Sequence, residues 1–260
     1  MVTSPRAVGL TTDQKRSLHA DGFVRVPGVV PDELVGRALR AINHDLGKGI
    51  DPAELRAMEA ISFCPSLCRT PAITDLFERS GARAVVESAT GPLKPVDYGQ
   101  IAPRWPEALD GAQPPKHYSP HIDGIHAPDN GVPMGTLQNF TALACVLLSD
   151  LPTTDAGNFT VWPGSHRVLE RFYREHTDAA LRDYSTHPGL GTPQQITGRA
   201  GDLIICQFLL GHDVSLNVSP HIRYAVFFRV ASTTLTEENR LGSVLDPWRD
   251  WNGMRAIIAR

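Results

Sequence analysis

Two textures of hydrophobic patterning divide the chain near residue 95. Before it, apolar positions recur at helical spacing. Thr11 and Gln14 form a capping-box pattern ahead of a short helix. Pro31 opens a second helix, in which Leu34, Val35, Ala38, Leu39 and Ile42 share one face and Gly47 supplies the stop. Between the two, Gly22-Phe23-Val24-Arg25-Val26-Pro27 alternates as a short strand does. Asp51-Pro52 and Thr70-Pro71 predict further helix starts, with the helical region ending near Gly91. Beyond residue 95, apolar runs at 96–102, 139–148, 159–162, 202–208 and 223–230 are separated by Pro, Gly, Asn and Asp and predict strands. Many short strands after helices point to a mainly β sandwich or barrel with flanking helices. Segments 103–120 and 170–198 are too long for simple turns and are expected to be substrate-covering loops.

The 260 residues contain no internal repeat and no Gly/Ser linker, so one domain spanning 1–260 is expected. Its parts would be a mainly helical flank at 1–94, a β core at 95–230 and a C-terminal tail at 231–260. With 25 Lys+Arg against 28 Asp+Glu, a net charge of -3, the chain has no polycationic surface for nucleic acid. No apolar run approaches the roughly 18 residues of a membrane span, and Met1-Val2-Thr3-Ser4-Pro5-Arg6 carries no apolar signal region. A cytoplasmic protein acting on a small molecule is the expectation. Cys64, Cys68, Cys145 and Cys206 are expected to be reduced and buried, since no second close pair of ligands accompanies Cys64 and Cys68 to make a zinc site.

One cluster carries candidate chemistry. His121-Ile122-Asp123 places an imidazole and a carboxylate two residues apart, on the same face of an extended chain. His212, just after the apolar run 203–210, can add a second imidazole from the end of a strand. Two His and one carboxylate leave three positions open on octahedral iron(II), enough for a bidentate oxo-acid and dioxygen. Arg223 opens the following apolar run, and an antiparallel return would bring its permanently charged fork beside the metal, where it suits a carboxylate.

The order of these residues resembles the phytanoyl-CoA dioxygenase-like family of 2-oxoglutarate oxygenases. The resemblance runs from Leu10-Thr11-Thr12-Asp13-Gln14 and Asp21-Gly22-Phe23-Val24 through His121-Ile122-Asp123-Gly124. It continues in Gly157-Asn158-Phe159-Thr160-Val161-Trp162-Pro163-Gly164-Ser165-His166, Gly201-Asp202, His212, Asn217 and Arg223, and so covers nearly the whole chain. It implies a double-stranded β-helix, the cupin-type jelly roll, with iron held by His121, Asp123 and His212. It also implies 2-oxoglutarate as cosubstrate, gripped at its distal carboxylate by Arg223 and touched by Gln100. The reaction implied is hydroxylation of a small-molecule or natural-product intermediate by dioxygen, releasing succinate and CO2. Many relatives place an aromatic residue against the cosubstrate in the strand matching 139–148, where Phe140 is the aromatic residue here.

Other readings stay open beside this one. A zinc hydrolase can use the same two His and one Asp, though it gives Arg223 no task; a non-catalytic small-molecule-binding relative is a third reading. A halogenase of this superfamily usually replaces the carboxylate with a small residue, against which Asp123 stands. His117 and His126 flank the cluster and read as loop or pocket residues. His221 follows Pro220 on a turn and should face solvent. Ser165 reads as an N-cap. Arg229 shares Arg223's strand parity, as a second anion anchor or a surface ion pair. Trp105, Trp162, Trp248 and Trp251 serve either packing or an apolar substrate.

Overall fold

The computed structural model describes residues 9–51, 53–55, 58, 61–107, 118–126, 130–182 and 188–259. Helix α1 (Thr12–Asp21) begins with the expected capping box: Thr11 Oγ1 accepts from Gln14 N–H while the Gln14 side chain accepts from Thr11 N–H. Strand β1 (Phe23–Val26) and helix α2 (Asp32–Leu46) follow, and α2 stops at Gly47. Asp51-Pro52 falls partly outside the described residues. After Thr70 the chain forms two helices, α3 (Pro71–Glu78) and α4 (Ala82–Thr90), the second ending at Gly91.

Strands β2 (Gln100–Ile101), β3 (Ala142–Leu147), β6 (Leu203–Gln207) and β8 (Ala225–Val230) join β1 in a sheet of order β1-β6-β3-β8-β2, antiparallel throughout. Facing it is a smaller sheet of order β5-β4-β7, from β4 (Phe159–Val161), β5 (Gln194–Gln195) and β7 (His212–Val214). Two antiparallel sheets with helices on the outer face of one of them make a jelly roll, the expected fold class. The continuous apolar reading of β3 has a direct cause. Ala142, Ala144 and Val146 pack with Ile42, Ile73, Leu76 and Phe77 of the helices, while Leu143, Cys145 and Leu147 face the core between the sheets. Both faces are buried, so alternation of polar and apolar residues disappears.

Segment 170–198 departs from expectation in its first part: residues 170–180 belong to helix α5 (Ser165–Ala180) rather than to a loop. Leu169 and Tyr173, four apart, are its buried stripe, and the charged residues between them hid that period. Residues 231–259 fold back on the molecule, where Trp251 and Met254 join the core under the helices and Lys15 Nζ donates to Gly253 O. Among the described residues, no helix is long and apolar enough to cross a membrane. All four cysteines are buried free thiols.

Asp202 ties β1 and the turn after it to the segment leading into β6. Its buried carboxylate accepts from Arg25 Nη1 at 2.6 Å, Gly28 N at 2.9 Å and Arg199 N at 3.0 Å. Asp202→Ala strands those donors and is expected to cost about 2–4 kcal/mol, read as a lower urea midpoint with unchanged slope. His166, at the start of α5, is fully buried against Trp248, and its Nδ1 has no hydrogen-bond partner among the described residues. Burial, aided by the charge of Arg167, pulls its pKa from 6.5 to about 4. The unfolded chain therefore binds this proton more readily than the native one between those values, and stability falls as pH drops through that window. On the order of 3 kcal/mol should be lost to this residue by pH 4, and His166→Gln should flatten the decline in denaturation curves recorded from pH 7 to 4.

Candidate metal centre and its cavity

His121, Asp123 and His212 converge. His121 and His212 exchange backbone hydrogen bonds, each N–H reaching the other's carbonyl at 3.0 Å. This isolated bridge sews the loop carrying His121 onto the first residue of β7. Ile122 between the two loop ligands is buried in the core between the sheets. The chain then turns at Gly124, whose φ of +75° and close approach to Gln138, 2.7 Å from its carbonyl to where a Cβ would lie, admit only glycine. Asp123 Oδ1 lies 3.8 Å from His121 Nε2 and Asp123 Oδ2 3.8 Å from His212 Nε2. One donor atom from each of the three lies within 4.8 Å of the others, and this is the one such group among the described residues.

The backbone before His212 is clamped from the end of the neighbouring strand β4 and the start of α5. Gly211 N–H donates to Ser165 Oγ at 2.9 Å, and Gly211 O accepts from Trp162 N–H at 3.0 Å. Ser165 is thus not the expected N-cap: it is the first residue of α5, and its hydroxyl is spent on Gly211. His212 Nδ1 sits 3.0 Å from Leu210 O, which as a donor to that carbonyl leaves Nε2 bare toward the cluster. Burial and the neighbouring His121 lower the His212 pKa to about 4, so the imidazole is neutral at physiological pH. Burial works against ionisation of Asp123, but the adjacent Arg229 charge and the two imidazoles outweigh it and bring its pKa to about 2. A neutral imidazole at His212 and an ionised carboxylate at Asp123 are forms a divalent metal binds.

The cluster lines one wall of a cavity of about 250 Å³ between the sheets. Leu143, Phe159 and Phe227 form its apolar wall, and Gln100, Arg104 and Arg223 also line it. Arg223 is its buried end, only 2 % exposed. Its Nε donates to Gly157 O and its Nη1 to Ala102 O, each at 2.6 Å, and no carboxylate among the described residues pairs with it. Gly157 has φ +71°, and a Cβ there would crowd Arg104 Cβ at 3.0 Å and Arg223 Cβ at 3.3 Å. Asn217 secures the approach to Arg223, donating from Nδ2 to Arg104 O and His221 O. Burial, with Arg104 adding its charge, depresses the Arg223 pKa to about 9. Such a cation favours an anionic guest.

Several expected residues lie elsewhere. Phe140 stacks edge-on with Phe208 and does not line the cavity; Phe159 and Phe227 supply the aromatic surface instead. His126 Nδ1 contacts Val132 O, His221 is exposed, and His117 lies outside the described residues. Trp162, Trp248 and Trp251 are buried packing residues, while Trp105 stacks on Phe63. Arg229 makes an ion pair from a partly exposed position, the second of its two readings, and its partner is Asp123 Oδ2 of the cluster. Strand parity indicated the face correctly, but nothing in the sequence names a partner across the fold.

No family model matches the sequence and no curated protein matches it; solved structures do. One is SnoK from nogalamycin biosynthesis, a non-haem alpha-ketoglutarate-dependent carbocyclase, at 18 % identity over 88 % of both chains with a TM-score of 0.59. Another is HygX from Streptomyces hygroscopicus with nickel and 2-oxoglutarate bound, at 21 % identity over 88 % of this chain and 90 % of that one, TM-score 0.57. EctD from S. alaskensis in its apoform matches at 16 % identity over 92 % and 83 %, TM-score 0.56. At these identities the likeness is one of fold.

The cluster's geometry sets an expectation for metal binding. Titrated with Ni(II), Asp123→Ala and His212→Ala should each bind about 100-fold more weakly or worse than the parent protein, whereas Arg223→Met should stay within about threefold. Equal affinity in all four proteins would remove the cluster as the metal centre.

Proposed function

We propose that this protein is a non-haem iron(II), 2-oxoglutarate-dependent oxygenase that hydroxylates a small molecule. The observation that carries this reading is the pairing, in one cavity, of a two-His-one-carboxylate cluster with a buried guanidinium that has no carboxylate partner among the described residues. An oxo-dicarboxylate matches both ends: its 2-oxo acid group can chelate a metal, and its second carboxylate answers Arg223. The fold supports the reading, being one on which HygX holds nickel and 2-oxoglutarate. A zinc hydrolase would leave Arg223 without a task.

Iron(II) at His121, Asp123 and His212 would supply dioxygen activation coupled to oxidation of 2-oxoglutarate to succinate and CO2. The chain's own residues supply geometry. Leu210 O holds the His212 tautomer, Arg223 neutralises and directs the distal carboxylate, and the Gln100 amide offers a polar contact along the cosubstrate. Leu143, Phe159 and Phe227 keep water from the reacting end, which strengthens each electrostatic contact inside.

Anaerobic addition of iron(II) and 2-oxoglutarate should produce a weak visible charge-transfer band, and air should then yield succinate. Asp123→Ala and His121→Ala should abolish both signals. Arg223→Met should keep metal binding and raise the 2-oxoglutarate KM by about 10–100-fold, the worth of a charge-assisted contact. A metal-loaded parent protein that gives neither band nor succinate would overturn the assignment.

A further inference from the structure

The contact between Arg229 and Asp123 is lopsided. Arg229 Nε–H donates to Asp123 Oδ2 at 2.9 Å, and Arg229 Nη2 lies 2.7 Å from that same oxygen. A fork meeting a carboxylate usually spreads over both oxygens. Here both nitrogens close on one, while no hydrogen bond from a described residue reaches Oδ1, whose near neighbour is His121 Nε2 at 3.8 Å. A carboxylate oxygen has two lone-pair directions in its plane; the Nε–H bond fills one of them on Oδ2, with Nη2 close beside it, so the guanidinium holds that oxygen while Oδ1 is left without a donor among the described residues. Arg229 sits at the open end of the cavity, its side chain 36 % exposed, so its through-space charge is partly screened and its placement matters more than its attraction.

We infer that Arg229 is a positioning residue that keeps Asp123 a one-oxygen ligand and so preserves a third open position on the metal. The inference rests on the metal centre proposed above. Two imidazoles and one carboxylate oxygen leave three of six positions free. A carboxylate chelating through both oxygens leaves two, sufficient for a bidentate oxo-acid but not for any further small ligand. Arg229 therefore guards the position that separates a cosubstrate-binding site from a reactive one. Arg223 and Arg229 lie on one face of the same strand segment with different tasks: the first answers an incoming anion and the second restrains a resident one.

Mn(II) alone is a suitable probe, because the relaxation of water protons counts the exchangeable waters on the ion without any turnover. The parent protein, Arg229→Lys, Arg229→Met and Arg229→Gln are to be compared, with thermal melts as the check of folding. Arg229→Met should bind Mn(II) within about threefold of the parent or more tightly, since it frees an oxygen and removes a positive charge. Its inner-sphere relaxivity should fall by about one third, one water of three. Arg229→Lys, with an ammonium still able to engage Oδ2, should recover most of that loss, and Arg229→Gln reports in place of Arg229→Met if the latter misfolds. Unchanged relaxivity in a metal-loaded Arg229→Met or Arg229→Gln overturns the inference, as does loss of Mn(II) affinity by more than about tenfold, which would mark a purely structural ion pair. A parent protein holding Mn(II) with three waters but not binding 2-oxoglutarate would sink the proposed function while leaving the role of Arg229 standing. A parent protein that binds no Mn(II) would overturn both.

Discussion

The two backbone hydrogen bonds between His121 and His212 are the constraint on which the rest of the site depends. The loop bearing His121 and Asp123 lies outside both sheets, so its ligands hold their place through this bridge, the turn at Gly124, the buried Ile122 and the Arg229 contact to Asp123. The other side of the bridge is firm for reasons of its own. Gly211 is gripped by Ser165 Oγ and by Trp162 N–H, and β7 pairs with β4 in register from Val161 opposite His212 to Phe159 opposite Val214. A pair of loop ligands is thus referred to one held in a strand, which is what a metal site of defined geometry needs.

From that bridge the cavity's electrostatics follow. One end concentrates a carboxylate, two imidazoles and the Arg229 guanidinium; the buried end presents Arg223 with its charge balanced by no carboxylate among the described residues. Two backbone carbonyls fix the direction of Arg223 without neutralising it. A buried cation so placed suits an anionic guest. An apolar wall of Leu143, Phe159 and Phe227 between the two ends keeps that attraction strong.

Much of this was legible along the chain where local rules govern. The Thr11 capping box, the Gly47 stop and the strand runs all appear, because capping chemistry and hydrophobic runs act over a few residues. Helix α5 did not declare itself, since its buried stripe is narrow and its other faces are charged. Phe140 drew attention for being the aromatic residue in its run, yet the register of β3 turns Leu143 to the cavity and leaves Phe140 against Phe208. A slip of one residue exchanges the faces of a strand, and only pairing with neighbours decides it.

By itself the sequence determined the chemistry on offer: His121 and Asp123 two residues apart, a later His212, and Arg223 at the head of an apolar run. Those are facts of order and residue type, and a mainly β sandwich or barrel with flanking helices follows from the hydrophobic patterning, the jelly roll itself being what the family resemblance implied. What tertiary structure alone decided was the company each group keeps. Arg223 lacks a carboxylate partner among the described residues and Arg229 does not, although both stand on one face of the same run, because Asp123 reaches that face only after the His121 loop is stitched to β7. Charge pairing across a fold depends on distances that no local spacing encodes, and so the restraint on Asp123 became visible only once the sheets had closed.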